Sequence, residues 1–492
     1  MKTLGNFIDG AWRLPSDFER LGVEDPSTGR RVGSVVLSTQ REVHEAVLAA
    51  KKAFPSWSRT PVSSRVEPLI RLAARIREEE ETLSRLLTLE MGKSLPDARA
   101  EIKRTFQNVE AACAMPLLQQ GDKLVGASGD IDGEVLKVPI GVFGMIAPFN
   151  FPAMVPFWFI PYALATGNTY VCKPSEVVPM TMAALTDLMN ECGIPPGVFN
   201  LVNGGARVGQ ALIEHPDVAG ISFVGSTAVG REVASECARH GKRYQVLAGA
   251  KNHLVVMPDA HLDHVVRNMI TSCFGCAGQR CMTASAIVAV GEETHQAVVS
   301  RFVSAASELI VASPLDEAVA DEGIVMGPVI SAQAHERIVE VVNEAEKEGA
   351  TVALDGRNFA MEGYENGNFM GPTVLTDVVP GSLAHRTEIF GPVVVILKAG
   401  TFDEALEIIA SSPYGNGASI YTQNGYFARR FKLEVTAGMV GINVGIPAPV
   451  AYLPFGGMKA SLFADVKAQG KDVVNFFTQS KVVTERYWPE EG

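Results

Sequence analysis

The sequence predicts an α/β protein with two doubly wound parallel-sheet domains and a small separate β unit. Three observations predict it. Short apolar strands and helical stretches alternate between residues 141 and 248, giving four short crossovers, the mark of an open parallel sheet. The alternation restarts after residue 250 and runs to about residue 445. Finally, residues 130–138 and 481–487 alternate like strands but have no helix to cross over with, so they are expected to pair in a small sheet of their own. Such a sheet exposes edges, and exposed edges invite subunit pairing.

Composition agrees. The chain has 492 residues, 47 % of them hydrophobic and 20 % charged, which suits a large packed core and about three domains. A net charge of −12 argues against nucleic acid, whose phosphates need clustered Lys and Arg. The most apolar stretch, 149–172, has the length of a membrane span. Pro152, Pro156, Pro161, Gly167 and Asn168 interrupt it, so it is expected as a buried helix followed by a buried strand. The start of the chain shows no secretory or transit pattern, and the seven cysteines show no disulfide framework. Cytoplasmic free thiols are the expectation. No second ligand pair stands at metal spacing, so no metal is expected.

The elements follow in order. Thr39-Gln40-Arg41-Glu42 is a capping box before apolar residues at helical spacing (Val43, Ala46, Val47, Ala50). Ser64 and Glu67 open a second helix expected to run to Leu86, with Glu78 to Glu81 as a solvated face. A third helix is expected over 96–115. Strands follow at 142–147, 169–172, 198–202, 218–224 and 244–248. Between them helices begin near 152, 181, 208 and 229. The second half predicts strands at 254–257, 286–290, 374–378, 393–397, 419–422 and 440–443, with helices at 265–273, 295–310, 332–348, 403–411 and 427–433.

Four places carry candidate chemistry. Phe223-Val224-Gly225-Ser226-Thr227 ends a strand in a Gly turn and opens a helix, presenting backbone N–H groups to an anion. Thr227 stands where a dinucleotide fingerprint has its middle Gly, so an ordinary strand–turn–helix remains equally open. Lys173 and Glu176 leave the end of a parallel strand, where α/β sheets bind ligands, and a Lys donor with a Glu acceptor suits ribose hydroxyls. A solvated loop pair is the plainer alternative. Cys281 follows a Gly-rich turn with Arg280 beside it, a charge that would favour a thiolate. A lone Cys is more often a small core residue, and nothing local separates Cys281 from Cys276. Asn150, between Phe149 and Phe151, could donate to an oxyanion or pin a turn.

Together these pieces resemble the aldehyde dehydrogenase superfamily over essentially the whole chain. Seven stretches carry the resemblance in order: Glu90-Met91-Gly92-Lys93, Pro148-Phe149-Asn150-Phe151-Pro152, Lys173-Pro174-Ser175-Glu176, Phe223-Val224-Gly225-Ser226-Thr227, Gly278-Gln279-Arg280-Cys281, Glu388-Ile389-Phe390-Gly391-Pro392 and Pro454-Phe455-Gly456-Gly457. The resemblance implies Cys281 as nucleophile and Asn150 as oxyanion donor. It implies NAD held by Ala147, Phe149, Lys173, Glu176, Ser226, Glu388 and Phe390. It also implies 1–120 with 140–248 as an NAD-binding domain, 249–445 as a catalytic domain, and 121–139 with 471–492 as oligomerisation strands of a homotetramer or homodimer.

One departure is informative. Hydrolytic members carry a Glu before a Gly-Gly-Lys to activate water. Here Leu247 holds that place in Val246-Leu247-Ala248-Gly249-Ala250-Lys251-Asn252-His253, and an apolar side chain is no general base. That segment, Gly278-Gln279-Arg280-Cys281-Met282 and the tail around Gly470-Lys471-Asp472 are similar to the CoA-acylating methylmalonate-semialdehyde dehydrogenases. This implies coenzyme A as acyl acceptor, an aldehyde bearing a carboxylate as substrate, and Arg104 with Arg280 as its clamp. A hydrolytic aldehyde dehydrogenase releasing a free acid is the alternative.

Overall fold

The computed structural model describes residues 3–319, 325–464 and 466–488. The outermost residues of the expected segments, 1–2 and 489–492, and 320–324 inside 249–445, lie outside the described residues. Two large sheets dominate. The first runs Leu462–Phe463, Arg243–Leu247, Val218–Val224, Val142–Ile146, Thr169–Lys173, Phe199–Leu201, Asn6–Ile8 and Ala11–Arg13. Its five middle strands are parallel, and antiparallel strands flank them on both sides. Strand order reverses beside Val142–Ile146: the next strands in sequence go to one side, and Val218–Val224 returns to the other. A doubly wound sheet binds ligands at that reversal, outside the carboxyl ends of the strands. Here those ends carry Ala147 to Asn150 and Gly225 to Thr227.

The second sheet runs Thr351–Leu354, Thr373–Thr376, Val393–Ala399, Ala286–Val290, His253–Val256, Gly417–Tyr421 and Met439–Ile442. All its pairings are parallel except the first. Its central strands are buried except at Lys398, as their largely apolar sequence requires when both faces are covered. The strand Thr478–Arg486 pairs antiparallel with Ile131–Pro139, which pairs with Asp122–Ser128. The two helix-free stretches therefore do meet. This third sheet is largely open to solvent, with Leu124, Val125, Leu136 and Val482 exposed.

Several elements differ from expectation for identifiable reasons. The long second helix is two, Val62–Glu78 and Glu80–Met91, broken at Glu79. The run of four glutamates is thus a junction between two helices, and only Glu78 and Glu81 of the four are exposed. The helix expected from Pro152 begins only at Ile160, after a 3₁₀ turn at Pro156–Trp158. Each Pro lacks the N–H that would close a helical turn, and Pro161 is tolerated because it sits in the first turn. No helix among the described residues is long and apolar enough to cross a membrane. The N-terminal strands were not expected. Asn6–Ile8 and Ala11–Arg13 add two strands to the edge of the first sheet, but each is only three residues long and shows little periodicity.

Candidate active site

Cys281 lies at the amino ends of three strands of the second sheet, facing the carboxyl ends of the first. Asn252 and Asn416, each just before a strand, donate their side-chain N–H groups to the Cys281 carbonyl at 2.9 and 3.0 Å. The loop before it is strained. Cys276 and Ala277 both have φ of 52° and Gly278 has 70°, three left-handed residues in succession, which non-glycine residues rarely adopt. A Cβ on Gly278 would stand 2.0 Å from the Gly391 carbonyl oxygen. The Cys281 loop therefore lies directly against the loop of Glu388 and Phe390, and Phe390 is itself left-handed with φ 55°.

Burial pushes the Cys281 thiol up to about 12; the Glu388 charge adds to this, while its own backbone N–H and Arg280 oppose. Arg280 does favour the thiolate, as expected, but its charge is the smallest of these effects. Its guanidinium turns away, to Asp97 at 2.5 Å and to the Cys276 sulfur at 3.2 Å. Cys276 is buried between these partners and Cys281 is partly exposed, a distinction invisible in sequence. Cys273 and Cys276 stand in a C-x-x-C spacing. They face different ways, with the Cys273 thiol donating to the Ala284 carbonyl.

Asn150 is buried, and one amide N–H donates to the Gln279 carbonyl at 2.9 Å. An amide has two, so the second remains for an oxyanion. Its backbone is anchored by a pair the sequence did not reveal. Lys93, fully buried, donates to the Asn150 carbonyl at 2.7 Å and to Glu101 at 2.5 Å. Glu101 in turn accepts from the N–H groups of Ala153 and Met154. Buried charges persist when paired and fully hydrogen-bonded in this way. Lys93 lies within a recognisable stretch, in the turn before the helix that carries its partner Glu101, and no local pattern announces such a pair.

The nucleotide candidates gather along the other side. Ala147 follows Val142–Ile146, and its N–H donates to the Lys173 carbonyl. Lys173, buried, donates to Glu176 and to the Pro174 carbonyl, each at 2.9 Å. Glu176 is half-exposed, open to a ligand. Ser226 caps the helix Thr227–Arg239 without a side-chain hydrogen bond to it. Gly249 is closely packed: an added Cβ would meet Glu388 at 2.5 Å and the Thr227 hydroxyl at 2.6 Å. A larger residue there would have to displace the Glu388 carboxylate and the Thr227 hydroxyl, which this glycine lets approach the same backbone. Burial pushes Glu388 up to about 7, opposed by the Ala250 N–H and by Lys251 and Arg337. Phe149 and Phe390 meet edge to face at 5.8 Å and, with Gln279, Ile330 and Arg337, line a cavity of about 650 Å³. These residues fit a dinucleotide: hydroxyl partners at one end, free helix N–H groups between, and an aromatic wall beside a carboxylate at the other.

A second cavity, of about 340 Å³, opens on Cys281 itself. Arg104 and Arg280 both line it, with Asp97, Phe151, Trp158 and Phe455. The helix Leu95–Cys113 presents Asp97, Glu101, Arg104 and Asn108 to this cavity from one face. Leu247 is buried in the apolar core of the first sheet, so no carboxylate stands at that position.

Comparison with known proteins agrees with this arrangement. The profile of the Aldehyde dehydrogenase family matches residues 12–483. Malonate-semialdehyde dehydrogenase 2 of Geobacillus kaustophilus (strain HTA426) is 45 % identical over 487 residues, covering 99 % of both chains. The crystal structure of methylmalonate-semialdehyde dehydrogenase from Oceanimonas doudoroffii superposes with a TM-score of 0.96 at 39 % identity, covering 100 % of this chain and 99 % of that one. A structure from Sinorhizobium meliloti 1021, assigned to methylmalonate-semialdehyde dehydrogenase and complexed with NAD, reaches 0.97 at 38 % identity, with the same coverage. Family profile, full-length relatives and superposed structures lead to one conclusion: this chain belongs to the aldehyde dehydrogenase family.

Proposed function

We propose that this protein oxidises a malonate- or methylmalonate-type semialdehyde with NAD, through a thioester on Cys281, and transfers the acyl group to coenzyme A. The observation that carries the reading is the pair of guanidinium groups, Arg104 and Arg280, lining the cavity that opens on Cys281. Arg suits a carboxylate because its planar fork can engage both oxygens. The full-length relatives named for malonate semialdehyde support the same substrate class.

In this mechanism Arg104 and Arg280 hold the substrate carboxylate and direct the aldehyde carbon toward Cys281. The Cys281 thiol loses its proton and its sulfur bonds to that carbon. The free Asn150 N–H and the Cys281 backbone N–H donate to the oxygen that becomes an oxyanion. NAD, when bound along Lys173, Glu176, Ser226, Glu388, Phe390, Ala147 and Phe149, supplies the hydride acceptor. Collapse of the tetrahedral adduct leaves a thioester on Cys281. A malonate-type acyl group then releases its carboxyl carbon as CO₂ and takes up a proton. Leu247 offers water no general base, so the thioester persists until the thiolate of coenzyme A displaces the Cys281 sulfur.

Glu176 favours NAD over NADP, since it accepts from a free ribose hydroxyl and repels a 2′-phosphate. The exposed apolar strands Asp122–Ser128 and Thr478–Arg486 suit pairing between subunits, as a homotetramer or homodimer. We place the protein in the cytoplasm, with residues 1–120 and 140–248 serving the nucleotide, 249–445 the chemistry, and 121–139 and 471–492 assembly. The direct test is NADH formation from malonate semialdehyde against propanal of matched chain length. The account expects a much higher kcat/KM for the acid semialdehyde; equal values refute the carboxylate clamp.

A further inference from the structure

The two guanidinium groups of the substrate cavity are not equivalent. Arg280 has every nitrogen engaged: Nε donates to the Cys276 sulfur at 3.2 Å, Nη2 to Asp97 at 2.5 Å and Nη1 to the Thr271 carbonyl at 3.4 Å. Asp97 is equally committed. Its second oxygen accepts from the Cys276 N–H at 3.1 Å and lies 3.5 Å from the Cys276 sulfur. The pair is largely buried, with side chains 13 % and 22 % exposed. Arg104, seven residues along the same helix from Asp97, makes only a long contact of 3.4 Å with Gln107. Glu101, the other carboxylate on the cavity wall, is neutralised by Lys93 behind it.

With Lys93 counted behind Glu101, the charges on and directly behind the cavity wall leave one positive charge, and the guanidinium without a carboxylate partner is that of Arg104. We propose that Asp97 is a specificity-determining residue: it consumes the charge of Arg280 and fixes its guanidinium, so that the cavity accepts a single negative charge, held chiefly by Arg104. The inference rests on the carboxylate-substrate reading and refines it. A resident counter-ion also explains how Arg280 can stay buried when the bound acyl group loses its carboxylate, because no unpaired cation is created.

The test compares propanoate with propanamide as competitive inhibitors of aldehyde oxidation. The ratio of their inhibition constants reads the preference for an anion apart from the chemistry of Cys281. Wild type should prefer propanoate. Asp97→Asn retains a hydrogen-bond acceptor for Arg280 and removes only the charge, so the preference should rise by about tenfold, the scale of one added unit charge in a partly buried cavity. Arg280→Gln should abolish it. The double variant D97N/R280Q replaces the ion pair by two amides and should return to within about threefold of wild type. This last comparison decides the matter even where D97N alone does not fold, since the double variant contains no unpaired buried charge. A wild type without anion preference overturns the carboxylate reading and this inference with it. A wild type with the preference, unchanged in D97N or lost in the double variant, overturns the inference alone.

Discussion

Removing Arg104 and removing Arg280 should have different consequences, because only one of them holds a resident partner. Arg104→Ala deletes a guanidinium whose one hydrogen bond among the described residues is a 3.4 Å contact to Gln107. What it loses is the bond to the substrate. A hydrogen bond to a charged group is worth about 1.5–3 kcal/mol, so kcat/KM for an acid semialdehyde should fall about 10- to 100-fold. Propanal, with no carboxylate, should be affected by less than about threefold. Arg280→Ala deletes the partner of Asp97. Burial raises Asp97, and the Arg280 and Lys93 charges more than offset it, holding the carboxyl below its ordinary range. Without Arg280 that carboxylate is stranded in the wall of the cavity. Breaking a buried pair costs about 3–5 kcal/mol, and the partial exposure of Asp97 puts this one at the lower end. Arg280→Ala should therefore slow both substrates and lower thermal stability, while Arg104→Ala leaves the melting temperature almost unchanged. Steady-state NADH formation with both aldehydes, beside a thermal melt of each variant, reads all six quantities. An Arg104→Ala effect as large on propanal as on the acid semialdehyde would refute the reasoning.

Three further outcomes follow from the geometry. Cys281→Ala should abolish NADH formation while the protein still folds and binds NAD, whereas Cys276→Ala should retain turnover; the reverse pattern in the same assay removes Cys281 as nucleophile. Glu176→Ala should weaken NAD and narrow its advantage over NADP, read by cofactor titration; a wild type that uses both equally shows that Glu176 does not face the ribose. Glu90 accepts from the backbone N–H groups of Met180 and Thr181 at 2.7 and 2.8 Å, yet burial pushes it up from 4.5 to about 7. Its folded value is the higher one, so its contribution to stability is complete below pH 4.5 and is lost as pH rises through 7. The difference corresponds to about 3 kcal/mol. Glu90→Gln should flatten the decline in unfolding free energy between pH 5 and pH 8, measured by denaturant titration; an unchanged slope contradicts the assignment.

Much of the fold was legible because its central strands are continuous apolar runs between clear breaks, as in residues 142–146, 218–224 and 286–290. The pairing of the strands near 131 and 478 was legible for a different reason: alternating strands without a crossover helix have few other places to go. The short N-terminal strands were not legible, because three-residue strands are specified by the sheet edge they join. The same division holds in the site. Cys281, Asn150, Lys173, Glu176 and Glu388 stand in stretches that resemble a known family, and the structure sets the loops of Asn150 and Glu388 against that of Cys281. The partnership of Asp97 with Arg280 joins residues 183 apart, and Lys93 reaches Asn150 across 57. Such pairs leave no periodic trace in a single sequence. Arg280 shows the consequence: its charge does favour the Cys281 thiolate, as adjacency suggested, but only weakly, with its guanidinium engaged by Asp97.

The central claim is that a thioester on Cys281 waits for coenzyme A because Leu247 supplies no base for water. Rapid mixing of the enzyme with NAD and malonate semialdehyde, without coenzyme A, tests it most directly. The account predicts a burst of NADH equal to the concentration of Cys281 sites, then a slow steady phase that coenzyme A accelerates. Equal steady rates with and without coenzyme A, and no burst, would contradict it and return the chain to the hydrolytic reading.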